Sequence, residues 1–301
     1  MTTCKNFSVP YFMCAKNIFR ILFLITIICY AVVTAAMEPP RRMVAQRLVE
    51  EGIEPEQAHA LLADPGIVER SDIILNNMFH SSPKEGKPRS GVMDISPGQI
   101  ERAAQFMRDN QDLLAGVEER FGVSPRIVTS ILLIESRLGT YPMPYNVATV
   151  YANLAFLDDP DYLRLIQERH SINYPQLQDE EAIARARRKA KWAIGELAFL
   201  IRLANHLDMD PLAITGSFAG AMGPAQFIPS SFWIFGLDAD GDGLTSPFNM
   251  ADAAMSMGNY LRKYGWREDA PPAQKRRALW YYNRSEVYVN TVLMVYDALA
   301  K

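Results

Sequence analysis

Residues 179 to 205 restrict the fold more than any other part of the chain. Seven apolar side chains recur there at intervals of three or four positions: Ile183, Ala186, Ala190, Ile194, Leu197, Ile201 and Ala204. This spacing places them along one face of a long α-helix. The opposite face carries Arg185, Arg188 and Lys189, for which a solvated surface is the simplest interpretation. Such a helix needs further helices or a sheet to cover its apolar face.

Two Ser-Pro pairs mark further helix starts. Ser96 precedes Pro97, which predicts a long helix to about Arg120, ended by Gly122. Ser124 precedes Pro125 and is predicted to cap the helix IVTSILLIE, which runs toward Gly139.

Helical patterns also fill most of the remaining chain. They predict two or three short helices in 41–79, broken near Pro55 and Pro65, and later helices at 250–264, 271–282 and 285–299. No convincing strand alternation or internal repeat is present. The predicted fold class is therefore all-α.

The first 36 residues have the pattern of a secretory signal peptide. Lys16 and Arg20 precede the apolar run ILFLITIICYAVV, which leads into the small residues TAA. The run is shorter than the ~20 residues of a membrane-spanning helix, although an uncleaved anchor stays open, as does a start at Met13. All 3 cysteines lie in this leader, so an exported mature chain would have no disulfides.

Composition and linkers suggest the domain organisation. The chain is 49% hydrophobic and 22% charged, as in ordinary globular proteins, and its net charge of −3 argues against nucleic-acid binding. The polar stretch SPKEGKPRSG (82–91) is typical of a linker. We therefore expect a leader at 1–36, an N-terminal helical segment at 37–95 and the main domain at 96–301.

Glu135 is the first candidate catalytic residue. It lies three or four positions from Ile131 and Leu132 and shares their helix face with Val128. Burial among aliphatic side chains raises the pKa of a carboxyl group, which a general acid requires. The alternative is that Arg137 or a helix end neutralises Glu135.

Three segments together resemble the lytic murein transglycosylase B family, exported bacterial enzymes that cleave the glycan of peptidoglycan. They are IESRLG (134–139), GSFAGAMGPAQFIPSS (216–231) and YYNRSEVYV (281–289). The resemblance covers roughly residues 41 to 300. It implies a lysozyme-like helical catalytic domain, a periplasmic location and a monomer whose partners are glycan strands. Membrane contact would come only through an uncleaved leader.

The resemblance also assigns site residues. It makes Glu135 the catalytic acid and base, places Ser217 near that carboxylate, and gives Gln226 a contact with the glycan. Four further residues would line the cleft: Tyr260, Tyr282, Asn283 and Tyr288. The small residues of GSFAGAMGPAQF are interpreted as a floor that lets the sugar approach the backbone.

The implied reaction breaks the MurNAc-β-1,4-GlcNAc bond without water and leaves a 1,6-anhydro-MurNAc end. It needs no cofactor for the chemistry. Two alternatives stay open: a lysozyme-type muramidase that uses water and a second carboxylate, and a non-catalytic peptidoglycan-binding protein.

Residues 238 to 249, DADGDGLTSPFN, resemble an EF-hand calcium loop. Asp238, Asp240 and Asp242 occupy the first, third and fifth positions, and Leu244 would offer its carbonyl oxygen. Asn249 stands where the usual bidentate Glu is expected, and the resemblance assigns the missing carboxylate to Asp252. A structural calcium ion at 238–252 is therefore expected. The alternative is an Asp/Gly turn that caps the helix from about Met250.

Overall fold

The computed structural model describes residues 37–79 and 91–300. The predicted signal peptide and nearly all of the predicted linker lie outside the described residues. The described part contains thirteen α-helices and two strands of two residues each, so the all-α prediction is confirmed. None of its helices combines the length and apolar character needed to cross a membrane.

The elements follow one another along the chain with short connections. The helices are α1 Pro39–Glu50, α2 Pro55–Ala63, α3 Ser71–Phe79, α4 Pro97–Asp109, α5 Gln111–Phe121, α6 Pro125–Ser136, α7 Val147–Ala155, α8 Pro160–His170, α9 Glu180–His206, α10 Pro229–Phe235, α11 Met250–Lys263, α12 Pro272–Tyr282 and α13 Glu286–Ala298. The strands β1 Tyr145–Asn146 and β2 Thr215–Gly216 pair antiparallel, with Tyr145 opposite Gly216.

The long helix α9 and the short helix α7 form the centre of the molecule. All of α7 is buried, and α9 packs along it with its predicted apolar face. Of the seven residues that define this face, all but Ile183 are buried. The N-terminal helices share the same hydrophobic core, since Val44, Leu62 and Ile74 belong to it.

The prediction of one helix from Ser96 to about Arg120 was wrong, because the chain breaks at Asn110. This residue leaves the helical conformation (φ −116°, ψ 30°), and its side-chain amide donates to the Phe106 carbonyl oxygen at 2.9 Å. The break lets the two halves pack differently. Ala103 of α4 joins a small cluster with Leu133 and Val295, whereas α5 packs into the main core.

A buried polar network fixes the start of α6. The helix begins at Pro125 as predicted, but the Ser124 side chain makes no capping hydrogen bond. Instead the Ser124 N–H donates to Glu268 Oε1 at 3.1 Å. Glu268 also accepts from Trp266 Nε1 at 2.9 Å and from the Tyr296 hydroxyl at 2.5 Å. One carboxylate therefore ties α6 to the C-terminal helices.

We expect Glu268→Gln to lower the free energy of unfolding at pH 7 by about 1–3 kcal/mol, because a charge-assisted network loses its acceptor. Burial raises the pKa of Glu268, but the hydrogen bonds from Tyr296, Trp266 and Ser124 outweigh it and leave the pKa lowered. The stabilisation is thus present above the ordinary carboxyl pKa and is lost as the pH falls below it. Urea denaturation at pH 7 and pH 3 checks this, with exposed Glu118→Gln as control; a loss at pH 3 as large as at pH 7 would contradict it.

Candidate active site

Glu135 lies in the last turn of α6, on the face predicted from the sequence. Val128, Ile131 and Leu132 on that face are fully buried. The helix stops directly afterwards, because Arg137 and Leu138 take left-handed conformations (φ 51° and 62°). The Leu138 N–H then bonds back to the Leu132 carbonyl oxygen at 2.9 Å. Glu135 therefore sits at a sharply ended helix, with aliphatic side chains beneath it.

The alternative role for Arg137 finds no support in the described residues. Its guanidinium lies over the Tyr141 ring, 5.0 Å from the centroid, and none of the ion pairs there joins Arg137 to Glu135. Without a cation beside it, Glu135 responds mainly to burial, which raises its pKa to about 7. The Tyr288 hydroxyl has a smaller, opposite effect. Near neutral pH this carboxyl group can both donate and accept a proton.

Three tyrosines form an aromatic wall beside Glu135. The rings of Tyr282 and Tyr288 are parallel, with centroids 6.5 Å apart, and the Tyr260 ring meets Tyr282 edge-on at 5.2 Å. Burial, followed by the charge of Glu135, raises the pKa values of the Tyr282 and Tyr288 hydroxyls well above their usual range. The three residues therefore remain neutral hydroxyls at every physiological pH.

The hydroxyls of this wall have different partners. Tyr260 donates to the Tyr281 carbonyl oxygen at 2.7 Å, and Tyr282 donates to the Ala225 carbonyl oxygen at 2.6 Å. The buried Tyr288 hydroxyl has no hydrogen bond of good geometry to any described residue, although it affects the pKa of Glu135. Tyr260 and Tyr282 hold the site together, whereas Tyr288 is the tyrosine that addresses the carboxyl group.

The segment GSFAGAMGPAQF forms a compact loop that starts at β2. The Ser217 hydroxyl accepts from the Ala221 N–H at 3.1 Å, which closes the loop on itself. Gln226 has a left-handed backbone (φ 52°), and its amide nitrogen donates to the Gly223 carbonyl oxygen at 2.8 Å. Both predicted polar groups therefore support the loop, and their glycan contacts stay predictions. Asn283 ends α12 and is exposed.

The glycines of this loop serve the protein's own packing, which the sequence interpretation missed. A Cβ atom on Gly220 would overlap the Tyr151 ring, and one on Gly223 would overlap the Pro247 carbonyl oxygen. Both residues also have positive φ values, 85° and 66°. Their small size thus allows close approach of Tyr151 and of the loop before α11.

Residues outside the predicted motifs hold this loop in place. The carboxylate of Glu196, which is buried on α9, accepts from Ser230 N at 2.9 Å and from Ser230 Oγ at 2.7 Å, at the start of α10. Asn77 of α3 donates to the Phe218 carbonyl oxygen at 2.9 Å, and Tyr151 donates to that of Gly220 at 3.0 Å. No sequence pattern identifies these pairs, because their members are far apart in the chain.

The face of α9 that the sequence suggested was solvated is only partly so. Lys189 is half-buried, and burial lowers its pKa. Its ammonium group lies over the Trp192 ring at 5.3 Å from the centroid, and Trp192 meets Tyr151 edge-on at 5.5 Å. This basic and aromatic surface is therefore continuous with the packing behind the Gly220 turn.

Three of the predicted metal ligands come together. Carboxylate oxygens of Asp238, Asp240 and Asp252 all lie within 4.8 Å of one another. Burial raises the pKa of Asp252, and the charges of Asp240 and Asp238 raise it further. Asp242 is not part of this group; it is exposed and accepts from the Leu244 N–H at 2.8 Å. The exposed Leu244 lies on the loop, and the structure provides no contact that tests its predicted carbonyl ligand.

Asn249, at the unusual twelfth position, has two other contacts. Its side-chain oxygen caps α11 by accepting from Ala251 N at 2.8 Å, and its amide donates to Asp240 Oδ2 at 2.6 Å. Both oxygens of buried Asp252 accept backbone N–H groups of the loop, from Ala239 at 2.7 Å and Ser246 at 2.8 Å. The arrangement combines a helix cap, as in the alternative interpretation, with a carboxylate cluster suited to Ca²⁺.

Comparisons with known proteins agree with this fold. The family model described as the transglycosylase SLT domain matches residues 37–279. Membrane-bound lytic murein transglycosylase B of Escherichia coli (strain K12) is 28% identical over 242 residues, which is 77% of this chain and 58% of that protein. The E. coli lytic transglycosylase SLT35 in complex with bulgecin A matches with a TM-score of 0.68 at 22% identity, covering 88% of this chain and 94% of that one. Its complex with calcium gives a TM-score of 0.67 with the same identity and coverage.

The fold is that of the lysozyme-like lytic transglycosylases, as the sequence predicted. The match over residues 37–279 shows that the chain belongs to the transglycosylase SLT domain family. The chain spans 58% of the length of the curated E. coli relative.

Proposed function

We propose that this protein is an exported, periplasmic lytic transglycosylase that cleaves the MurNAc-β-1,4-GlcNAc bond of peptidoglycan without water. The observation that carries the proposal is a carboxyl group with a pKa of about 7, Glu135, beside a wall of tyrosines. Family membership and the E. coli relative, whose name describes a lytic murein transglycosylase, support the same reaction and substrate.

In the proposed reaction Glu135 acts first as an acid and then as a base. Its proton passes to the glycosidic oxygen, the bond to the anomeric carbon breaks, and the GlcNAc fragment leaves with a hydroxyl group. The N-acetyl group of the muramoyl residue stabilises the cation at that carbon. The Glu135 carboxylate then removes the proton of the muramoyl 6-hydroxyl, whose oxygen closes the 1,6-anhydro ring. The nucleophile is held within the substrate, which gives it an entropic advantage over free water.

The surroundings of Glu135 favour this mechanism over the muramidase alternative. Glycosidases that use water require two carboxyl groups across the scissile bond. Among the described residues, burial and Tyr288 are the only groups that shift the pKa of Glu135, so no second carboxylate acts on it there. Glu196 is occupied by Ser230, and Asp252 belongs to the metal-like cluster.

The remaining site residues take supporting roles in the proposal. Tyr288 is best suited to orient the Glu135 carboxyl group. Tyr260 and Tyr282 shape the aromatic wall, and the exposed Asn283 amide is free to contact sugar hydroxyls. Ser217 and Gln226 fix the opposite loop, from which the Gln226 side chain reaches the glycan.

Mass spectrometry of peptidoglycan fragments tests the proposal. Digestion by the purified protein is expected to give fragments that end in 1,6-anhydro sugars, one water lighter than fragments with reducing ends. Reducing-end products would instead establish the muramidase, and the absence of any soluble fragment would establish the non-catalytic binding protein.

We further propose that Asp238, Asp240 and Asp252 bind a structural calcium ion. Three carboxylates so close together repel one another unless a cation joins them, and oxygen ligands suit Ca²⁺. The relative SLT35 has been solved in complex with calcium. The ion would hold the loop that precedes α11 and that packs on Gly223 through Pro247. It has no part in the bond-breaking steps.

Calcium is expected to raise the free energy of unfolding by about 2.7 kcal/mol at a free concentration of 100 times the dissociation constant. Asp252→Asn should abolish this stabilisation, since the variant loses the only buried carboxylate of the cluster. Asp242→Asn is the matched control and should retain most of it. Thermal denaturation with calcium or with a chelator measures both, and equal losses in the two variants would contradict the assigned ligands.

A further inference from the structure

A second groove, separate from the tyrosine-lined cleft, lies between α4 and the end of α6. Its volume is about 490 Å³, which is the size of pockets that hold small ligands. Phe106, Leu133 and Leu138 supply its apolar lining. The polar groups come from one face of α4 and from the turn after α6: Gln99, Arg102, Gln105, Asp109, Arg137 and Thr140.

The two arginines of the groove lack carboxylate partners in the described part of the chain. Arg102 and Arg137 are both exposed, and neither forms an ion pair there. Arg137 is braced by the Tyr141 ring at 5.0 Å and stands at a helix end with a left-handed backbone. Guanidinium groups bind carboxylates through paired hydrogen bonds, so two of them at one groove favour an anionic ligand.

The groove also contains one carboxylate, which narrows the class of ligand. Asp109 accepts from the Gln105 amide at 2.6 Å and lines the same groove. A simple anion would meet repulsion from this group, whereas a ligand with both carboxylates and an amine would meet complementary charges. A peptide that carries acidic groups and a free amino group has this chemistry.

The position of the groove relates it to the catalytic helix. Leu133, in its lining, and Glu135 are two positions apart, about 200° around the helix, so they face nearly opposite sides of α6. The groove therefore lies behind Glu135, outside the cleft that would hold the scissile bond. We propose that it binds a stem peptide of peptidoglycan, with a carboxylate at Arg102 and Arg137 and an amine at Asp109. This inference rests on the proposed function, which makes peptidoglycan the substrate.

Calorimetric titration with a glycan-free stem peptide tests the groove without any cleavage. We expect the wild-type protein to bind a tetrapeptide with free carboxylates and a free amine. Arg102→Ala and Arg137→Ala should each raise the dissociation constant about tenfold, as the loss of a charge-assisted hydrogen bond predicts. The control Arg120→Ala removes another exposed arginine, on α5, and should leave the constant unchanged. Amidation of the peptide carboxylates should weaken binding at least as much as Arg102→Ala.

A kinetic measurement adds a second readout. Arg102→Ala should raise KM for peptide-bearing glycan and leave cleavage of peptide-free glycan unchanged. The proposal is overturned if the wild-type protein does not bind the peptide, if Arg102→Ala behaves like Arg120→Ala, or if inorganic phosphate displaces the peptide at equal concentration. These results are independent of the bond-breaking reaction, because a protein that cleaves glycan normally could still fail each of them.

Discussion

Glu135→Gln is expected to lower the rate of glycan cleavage by about 10²- to 10⁴-fold, the usual contribution of a general acid and base. The same change should make the protein more stable at pH 8. Both effects have one cause, the burial of a carboxyl group beside aliphatic and aromatic side chains. An amide of nearly the same shape keeps the packing and carries no charge.

The pH dependence of this stabilisation has a definite sign. Burial raises the pKa of Glu135 from 4.5 to about 7, so the folded protein holds a proton that the unfolded chain releases between these values. The stability of the wild-type protein therefore falls as the pH rises through this window. One pKa unit corresponds to about 1.4 kcal/mol, so Glu135→Gln should gain up to about 3 kcal/mol above pH 7 and little below pH 4.5.

Urea denaturation of the two proteins at pH 4.5 and pH 8 measures this effect. The control is Glu118→Gln, which changes an exposed carboxylate on α5 and should leave stability nearly the same at both pH values. A Glu135→Gln variant that is no more stable at pH 8, or that still releases fragments at the wild-type rate, would contradict the assignment.

Gly223→Ala is expected to produce the largest loss of stability of any single change in the cleft loop. A Cβ atom there would overlap the Pro247 carbonyl oxygen, which is part of the backbone and cannot rotate away. The residue also has a left-handed backbone, with φ of 66°. The overlap should add about 1–3 kcal/mol to the ordinary left-handed penalty of about 1–2 kcal/mol.

Gly52→Ala separates these two contributions. Gly52 is also left-handed, with φ of 85°, but a Cβ atom there would meet only the Arg202 guanidinium at 3.7 Å. The difference between the two variants in urea denaturation therefore measures the close approach to Pro247 alone. Equal losses of stability would show that Gly223 is needed only for its backbone conformation. Because Pro247 lies before α11, we also expect Gly223→Ala to weaken calcium binding.

The elements that the sequence predicted well are those whose signals are local. The periodic apolar residues of α9, and the Pro97 and Pro125 helix starts, depend on spacing within a few turns, and the structure reproduces them. Glu135 was predictable for the same reason, since its helix face follows from Ile131 and Leu132. The break at Asn110 was missed because it depends on how α4 and α5 pack against different clusters.

The cleft loop shows what local patterns could not provide. GSFAGAMGPAQF was interpreted as a floor for the sugar, yet Gly220 and Gly223 make room for Tyr151 and Pro247. These neighbours come from distant parts of the chain, and no spacing rule connects them. The Glu196–Ser230 pair is hidden in the same way. In the metal-like loop, the motif included Asp242, whereas the three-dimensional cluster contains Asp252 in its place.

The most direct test of the account is the pKa of Glu135 itself. NMR titration of protein labelled with ¹³C at the glutamate carboxyl carbons measures it, with the Glu135 signal assigned by its loss in Glu135→Gln. A titration midpoint at about 7 would confirm that the fold provides one carboxyl group able to donate and accept a proton at neutral pH. A midpoint near the ordinary value of 4.5 would contradict the account, because Glu135 would then be ionised before any substrate arrived.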